Sequence, residues 1–473
     1  MSNAAAQFVS GSVLGATPLK ASLFAAASIG GASAHYEDGV TAGTDDTVSA
    51  AFDTGVLDGA SLNVGGSPLP LSDILTLGAA NQYAQASQGG VSRAMTGAVG
   101  NDGTPSADFP AGATFNLMKI IPETPALSAA ALTIGAVNGG AQWDAAQGNV
   151  LAAATDAANP SQGRGYSLAS AALELTSPAI GAMADTFNTA LEALGTAVSA
   201  LGSQVITGLT NGVADSLDVL STLTGGLNIG ANTLTATVGL DPSVIPDFST
   251  PVSTPDKAVT LVMTDGSLSA DLGTLLGGTL NGLPPNTELI STATMNKLGS
   301  DFAAVADSLR LQMGEVMAAM LDDALVSVSG HITLMEVLTV DTGLDISYTG
   351  TLEDLLRGTQ SLSVSGTGAL ALLGGAADTV IGLMQTALVT VLTPLITGIL
   401  SDAGNTVGAA VTTMEGLLSP VFALFSGVMS CNINVQQDGD NTFGEIPLQF
   451  TFLGDGAVLN LGLAQVGPNT VPA

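Results

Sequence analysis

The sequence predicts an α+β fold in which antiparallel β-sheet segments alternate with long helical hairpins, in an elongated, repeat-like order. Three observations carry this reading. Short apolar runs with a period near two are set off by Gly-Gly, Asp-Gly and proline-rich turns, as in half-buried strands. Between them, apolar residues recur every three or four positions over tens of residues, as in amphipathic helices. Strand groups and three helical blocks then alternate along the 473 residues.

Residues 1–60 read as an irregular N-terminal segment. Within it only 8–15 is strand-like, and 30–56 has the Gly, Ala, Ser, Thr and Asp content of loops. The opening Met1-Ser2-Asn3-Ala4 is expected to be an addition ahead of a mature secreted chain. The alternative is a cytoplasmic chain that begins there, because 1–7 has neither the basic nor the apolar part of a signal peptide. Residues 61–176 read as a mainly β region. Runs 82–86 and 92–99 flank the turn Gln88-Gly89-Gly90, and further strands are expected at 113–121, 129–137, 140–144 and 166–175.

Residues 177–430 read as alternating long helices and strands. Ser177 suits a helix N-cap and Pro178 the first helical position. A stripe then runs through Met183, Phe187, Leu191, Leu194, Val198, Leu201, Val205, Leu209, Val213, Leu217 and Leu220. Gly195, Gly202, Gly208 and Gly212 weaken it, so a helical hairpin fits as well as one rod. Helices are also expected at 290–325 and 375–427, the latter broken near 401–405. Strands are expected at 227–239, 257–272, 326–350 and 360–372. Residues 431–473 close the chain as C-terminal β strands, with Asp438-Gly439 as a turn. The charge-free run 380–400 is long enough to cross a bilayer. Its glutamine, threonines and Pro394, and the lack of any Lys or Arg after Arg357, make it a buried core helix with no transmembrane span.

Composition excludes several functions. Lys plus Arg total 8 against 40 Asp plus Glu, a net charge of −32. Nucleic-acid binding is excluded, because phosphate contacts need cationic side chains. Anionic lipid headgroups would be repelled. Hydrophobic residues make up 46% and aromatics only 4%, with a mean hydropathy of +0.47, so the core must be built from small aliphatics. The single cysteine, Cys431, allows no intrachain disulfide and reads as a small buried hydrophobe.

Chemistry-bearing patterns are sparse. His35 and His331 are the two histidines, and both read as structural. The chain has no G-x-S-x-G elbow and no G-x-x-x-x-G-K phosphate loop. Gly366-x-Gly368-x-x-Ala371 resembles a dinucleotide fingerprint, but the acid expected about 20 residues on is missing. No catalytic and no cofactor-binding residue is assigned, and the chain is not expected to be an enzyme. Calcium is the one candidate ligand: Asp45 and Asp46 in one loop, and Asp438, Asp440 and Glu445 in another, supply spaced oxygens. The plainer reading of both loops is a solvated turn.

Four runs carry a family resemblance: FVSGSVLG at 8–15, LGAANQYAQA at 77–86, AQWD at 141–144 and LNLGLAQVGPN at 459–469. In that order they resemble the choice-of-anchor G family of actinobacterial cell-surface proteins. The resemblance implies export and attachment to the cell envelope, and no known activity or site residue. The chain departs from the family pattern at both ends, with neither an export signal nor a sorting tail.

The expectation is a non-catalytic extracellular structural protein of the bacterial cell surface that self-assembles into a filament or layer, its partner being further copies of itself. The alternative is an adhesin that binds a carbohydrate or a host or matrix protein with the help of calcium.

Overall fold

The computed structural model describes residues 1–13, 17–18, 31–37, 45–52, 61–64, 67–106, 112–145, 149–150, 163–224, 229–240, 250–337, 340–367, 377–439, 442–452 and 457–470. They form an α+β fold of antiparallel sheets and three long helices, Pro178–Thr224, Thr292–Asp322 and Ala377–Val428. The chain divides into two compact units. One comprises 1–181, 251–305 and 415–473, the other 182–250 and 306–414.

Each long helix is continuous, which corrects the expected helical hairpins and the expected break near 401–405. Ser177 does cap the first helix: its hydroxyl accepts from the Ala179 amide at 3.2 Å and donates to the Ala126 carbonyl at 2.6 Å. The glycines that cast doubt on this helix are its contact points. A Cβ at Gly202 would lie 2.6 Å from the Ala236 carbonyl, and one at Gly208 3.1 Å from the Leu388 Cα. One at Gly212 would strike the Met384 backbone. The propensity lost at these glycines is offset by close backbone approach.

Glycines of the third helix are different, since nothing lies within 4 Å of a Cβ built at Gly382, Gly398, Gly404, Gly416 or Gly427. Gly404→Ala is therefore expected to stabilise the protein by about 0.5–1 kcal/mol. Gly212→Ala is expected to cost about 1–3 kcal/mol through overpacking. Paired urea titrations of the two variants check both signs.

The first unit holds three layered sheets. A seven-stranded sheet runs Thr17–Pro18, Ser2–Val13, Ala457–Val466, Thr442–Phe452, Met429–Gly439, Thr287–Glu288, with Ala32–Tyr36 also on Ser2–Val13. A second runs Val252–Ser253, Val259–Val262, Ser267–Asp271, Ala171–Thr176, Ala129–Ile134, Ala113–Asn116, Leu75–Leu77. A third runs Asn149–Val150, Val137–Asp144, Val91–Gly97, Asn81–Ser87, Asp46–Ala51, with Arg164–Leu168 on Val137–Asp144.

The 1–60 segment is thus not irregular where it is described. Ser2–Val13 pairs with the last strand from Ala4↔Val466 to Val13↔Ala457, and Ser2 to Ala6 pair with Tyr36 to Ala32. The four opening residues expected to precede the fold are part of it. The Met1 amino group donates to the Thr470 carbonyl at 2.9 Å, and Ser2 Oγ to the Ser87 carbonyl at 2.8 Å. Alanine has low β propensity, so this strand owes its existence to a partner from the far end of the chain.

The seven-stranded sheet and the third sheet share a core of small side chains. Ala4, Ala6, Ala34, Ala84, Ala86, Ala94, Ala141 and Ala464 meet there with Tyr36, Trp143 and Phe443. Small residues let the layers close until backbone meets backbone. A Cβ at Gly139 would strike the Gly462 carbonyl and lie 2.8 Å from the Pro447 ring. Against the second sheet the core is larger, with the Phe115 and Phe450 rings 4.1 Å apart.

One row across the seven-stranded sheet lets it serve both neighbours. Phe8, Gly462, Pro447 and Asn434 lie side by side in the register. Gly462 (φ 89°) and Asn434 (φ 57°) are left-handed, and the Phe8 amide bonds the Gln82 side chain at 2.9 Å. The buried alternation slips by one there: Ala4, Ala6 and Phe8 give way to Val9, and Val466 and Ala464 to Leu461, Leu459 and Ala457.

The second unit contains the sheet Thr235–Gly239, Leu325–Val337, Val340–Thr351, Ser363–Gly366. The hairpin Leu325–Val337/Val340–Thr351 has a register shift between Thr333 and Met335. The short helix Leu352–Arg357 is capped by Thr351 and stopped by Gly358 in the left-handed region, φ 67°. Of the expected 227–239 strand, residues 229–239 are described and only Thr235–Gly239 is strand, which shortens it. No repeating unit emerges among the described residues: strands after the second helix join this sheet, and those after the third join the seven-stranded one.

Candidate functional site

Asp45 is exposed, and Asp46 Oδ2 accepts the His35 amide at 2.8 Å. Asp438 and Glu445 lie on one hairpin but have opposite fates. Asp438 projects outward and is held by both terminal nitrogens of Arg164, at 2.6 and 3.3 Å. Glu445 is 0% exposed, and neither of its carboxyl oxygens has a hydrogen-bond partner. Asp440 lies outside the described residues, as do Thr44, Gly368 and Ala371. Among the described residues, no group of three or more His, Cys, Asp or Glu side chains is placed to hold a metal ion.

Burial pushes the Glu445 carboxyl up to about 8, Arg164 pulling against it and Asp438 adding to it. Burial also pushes the Cys431 thiol far up, with Glu288 adding to it, which makes it the inert apolar side chain the sequence predicts. His331 Nδ1 pairs across the hairpin with Asp345 at 2.8 Å, tying two strands.

Sequence reasoning missed the buried amides. Asn469 Nδ2 donates to the Gly90 carbonyl at 2.9 Å and Ser92 Oγ at 2.7 Å, while its Oδ1 accepts the Asn3 amide at 3.0 Å. Gln82 accepts the Phe8 amide, and Asn81 donates to Asn101 at 3.1 Å. The Phe8–Gln82 bond joins the runs 8–15 and 77–86, whereas Asn469, at the end of the run 459–469, is held by Asn3, Gly90 and Ser92, which lie outside those runs. The signal available in sequence was the presence of amides inside apolar strand runs, where a polar group must be bonded.

Two surface features remain. On the second sheet a concavity of about 470 Å³ has a mixed lining, with Asp73, Thr114 and Glu174 beside Ile74, Met118 and Ala130. The second feature is the third helix. It is long and apolar enough to cross a membrane, and among the described helices it alone is so. Its most apolar 18-residue stretch is only 22% buried, which corrects the expected core helix. Val380, Met384, Leu388 and Leu392 form one buried stripe at a spacing of four. In the second unit Leu395 is exposed, with Leu311 and Leu325, and in the first unit Leu417 and Leu424 are exposed. Thr386, Thr390, Thr397, Thr406, Thr412 and Thr413 donate their hydroxyls to the carbonyl four residues back. Their polarity is used internally, and the outer faces gain in apolar character.

These features define a class: an α+β protein of antiparallel sheets and three long helices, the third of them partly uncovered. Residues 4–467 match the model of a family described as a domain of unknown function, DUF8394, and the chain belongs to that family. No curated protein and no solved structure matches it.

Proposed function

We propose that this chain is a non-catalytic structural protein of the bacterial cell surface that assembles with further copies of itself. One observation supports assembly above the others: the third helix carries an apolar stretch that the fold leaves largely uncovered. A single exposed leucine is ordinary, whereas a long apolar helix face is the kind of surface that associates. Placement outside the cell rests on the resemblance carried by the four runs above. The shortage of cations supports a role away from nucleic acids and anionic lipid.

Sedimentation velocity and electron microscopy of the purified chain test the reading. The expected result is concentration-dependent assembly that Leu395→Glu and Leu417→Glu together reduce at least tenfold, with helical circular dichroism unchanged. Wild-type protein that stays monomeric at every concentration and salt condition sinks the proposal.

A further inference from the structure

We propose that Arg164, Asp438 and Glu445 form a pH-dependent latch, in which Arg164 is held by the surface carboxylate when Glu445 is neutral and is drawn to Glu445 when that group ionises. Burial, strand register and the Arg164–Asp438 pair support it. Glu445 sits opposite Ala464 and Gln436 in the seven-stranded sheet, fully buried and without a hydrogen-bond partner. A buried carboxyl in that position is tolerated as the neutral acid and is costly as an anion.

The charged and titratable groups around it come from few elements. Its hairpin partner strand supplies Asp438. Strand Arg164–Leu168 supplies Arg164 and Tyr166. Tyr166 is committed elsewhere: its hydroxyl donates to the Leu280 carbonyl at 3.0 Å and accepts the Leu283 amide at 2.8 Å. Among the described residues Arg164 is the cation acting on Glu445, and its guanidinium lies over the Phe443 ring, 5.6 Å from the centroid.

The Arg164 side chain is 13% exposed, whereas its partner Asp438 is 67% exposed. Asp438 can therefore be released to water at little cost, because exposed ion pairs contribute little. A buried Glu445 anion has no such outlet. When Glu445 loses its proton, the balance moves Arg164 inward and frees the end of the Met429–Gly439/Thr442–Phe452 hairpin.

The direction with pH follows. The folded-state value, about 8, lies above the ordinary 4.5, so the folded protein holds a proton that the unfolded chain has already released. The stability that Glu445 contributes is fully present below 4.5 and falls as pH rises from there toward 8. General repulsion in an acidic chain acts in the same sense, so the variants are what isolate the latch.

Thermal unfolding of the full chain is followed from about pH 5 to about pH 9 for wild type, Glu445→Gln and Asp438→Asn. Wild type should lose several degrees across this range, and Glu445→Gln should lose clearly less. Asp438→Asn, with Arg164 released in advance, should also lose less than wild type. Infrared spectra near neutral pH should show a protonated carboxyl band that Glu445→Gln lacks. Parallel pH profiles for wild type and Glu445→Gln, or absence of that band, overturn the buried neutral acid. An Asp438→Asn profile identical to wild type overturns the exchange of Arg164, and this variant remains informative if Glu445→Gln does not fold.

Discussion

Gly139→Val is expected to be among the most damaging single substitutions in the first unit. Gly139 has ordinary backbone torsions, so the effect is purely steric. Its Cβ would strike the Gly462 carbonyl and crowd the Pro447 ring at 2.8 Å, and the obstructing carbonyl belongs to backbone held in a central strand. Backbone in a paired sheet cannot yield as a flexible side chain can. The two sheets must separate, and the alanine core around Ala141 and Ala464 loses its contacts with them. The expected loss is roughly 3 kcal/mol or more. Urea titration and soluble yield measure it. A variant within about 0.5 kcal/mol of wild type would show that the layers are not in backbone contact.

Phe450→Ala is expected to be nearly as severe by the opposite mechanism, removal of volume. Phe450 is fully buried, 4.1 Å from the Phe115 ring and 6.5 Å from the Phe452 ring. Aromatic residues are 4% of the chain, so few other side chains have the bulk to fill the space. Phenylalanine-to-alanine changes in cores cost about 3–5 kcal/mol. Phe450→Leu, which refills part of the volume, should recover a good part of that loss in the same denaturant titration.

Both predictions rest on contacts between residues far apart in sequence, and that is where sequence reading stops. The helices were legible because an apolar stripe such as Met183 to Val213 is a local pattern. The hairpin around Gln88-Gly89-Gly90 was legible for the same reason: strands Asn81–Ser87 and Val91–Gly97 pair across it. Ser2–Val13 was not legible beyond its apolar part, because an alanine-rich strand has a weak local signal and its partner is Ala457–Val466. The glycines of the first helix misled for a related reason. Their cost is local, whereas the Met384 and Ala236 backbones that repay it come from elsewhere in the chain.

The acidic residues divide in the same way. Asp438 and Glu445 look alike in sequence, as spaced oxygens near a turn. Strand pairing turns one toward Arg164 at the surface and the other into the sheet interior.

By itself the sequence determined the α+β class, the positions of the three helices, the inert character of Cys431 and the poverty in cations. Each depends on residue type or on neighbours within a few turns. Tertiary structure decided that the helices are unbroken rods, that the first strand pairs with the last, which carboxyl is buried, and how much of the third helix stays uncovered. These depend on which distant backbone comes close enough to satisfy or exclude a side chain, and no local pattern encodes that distance.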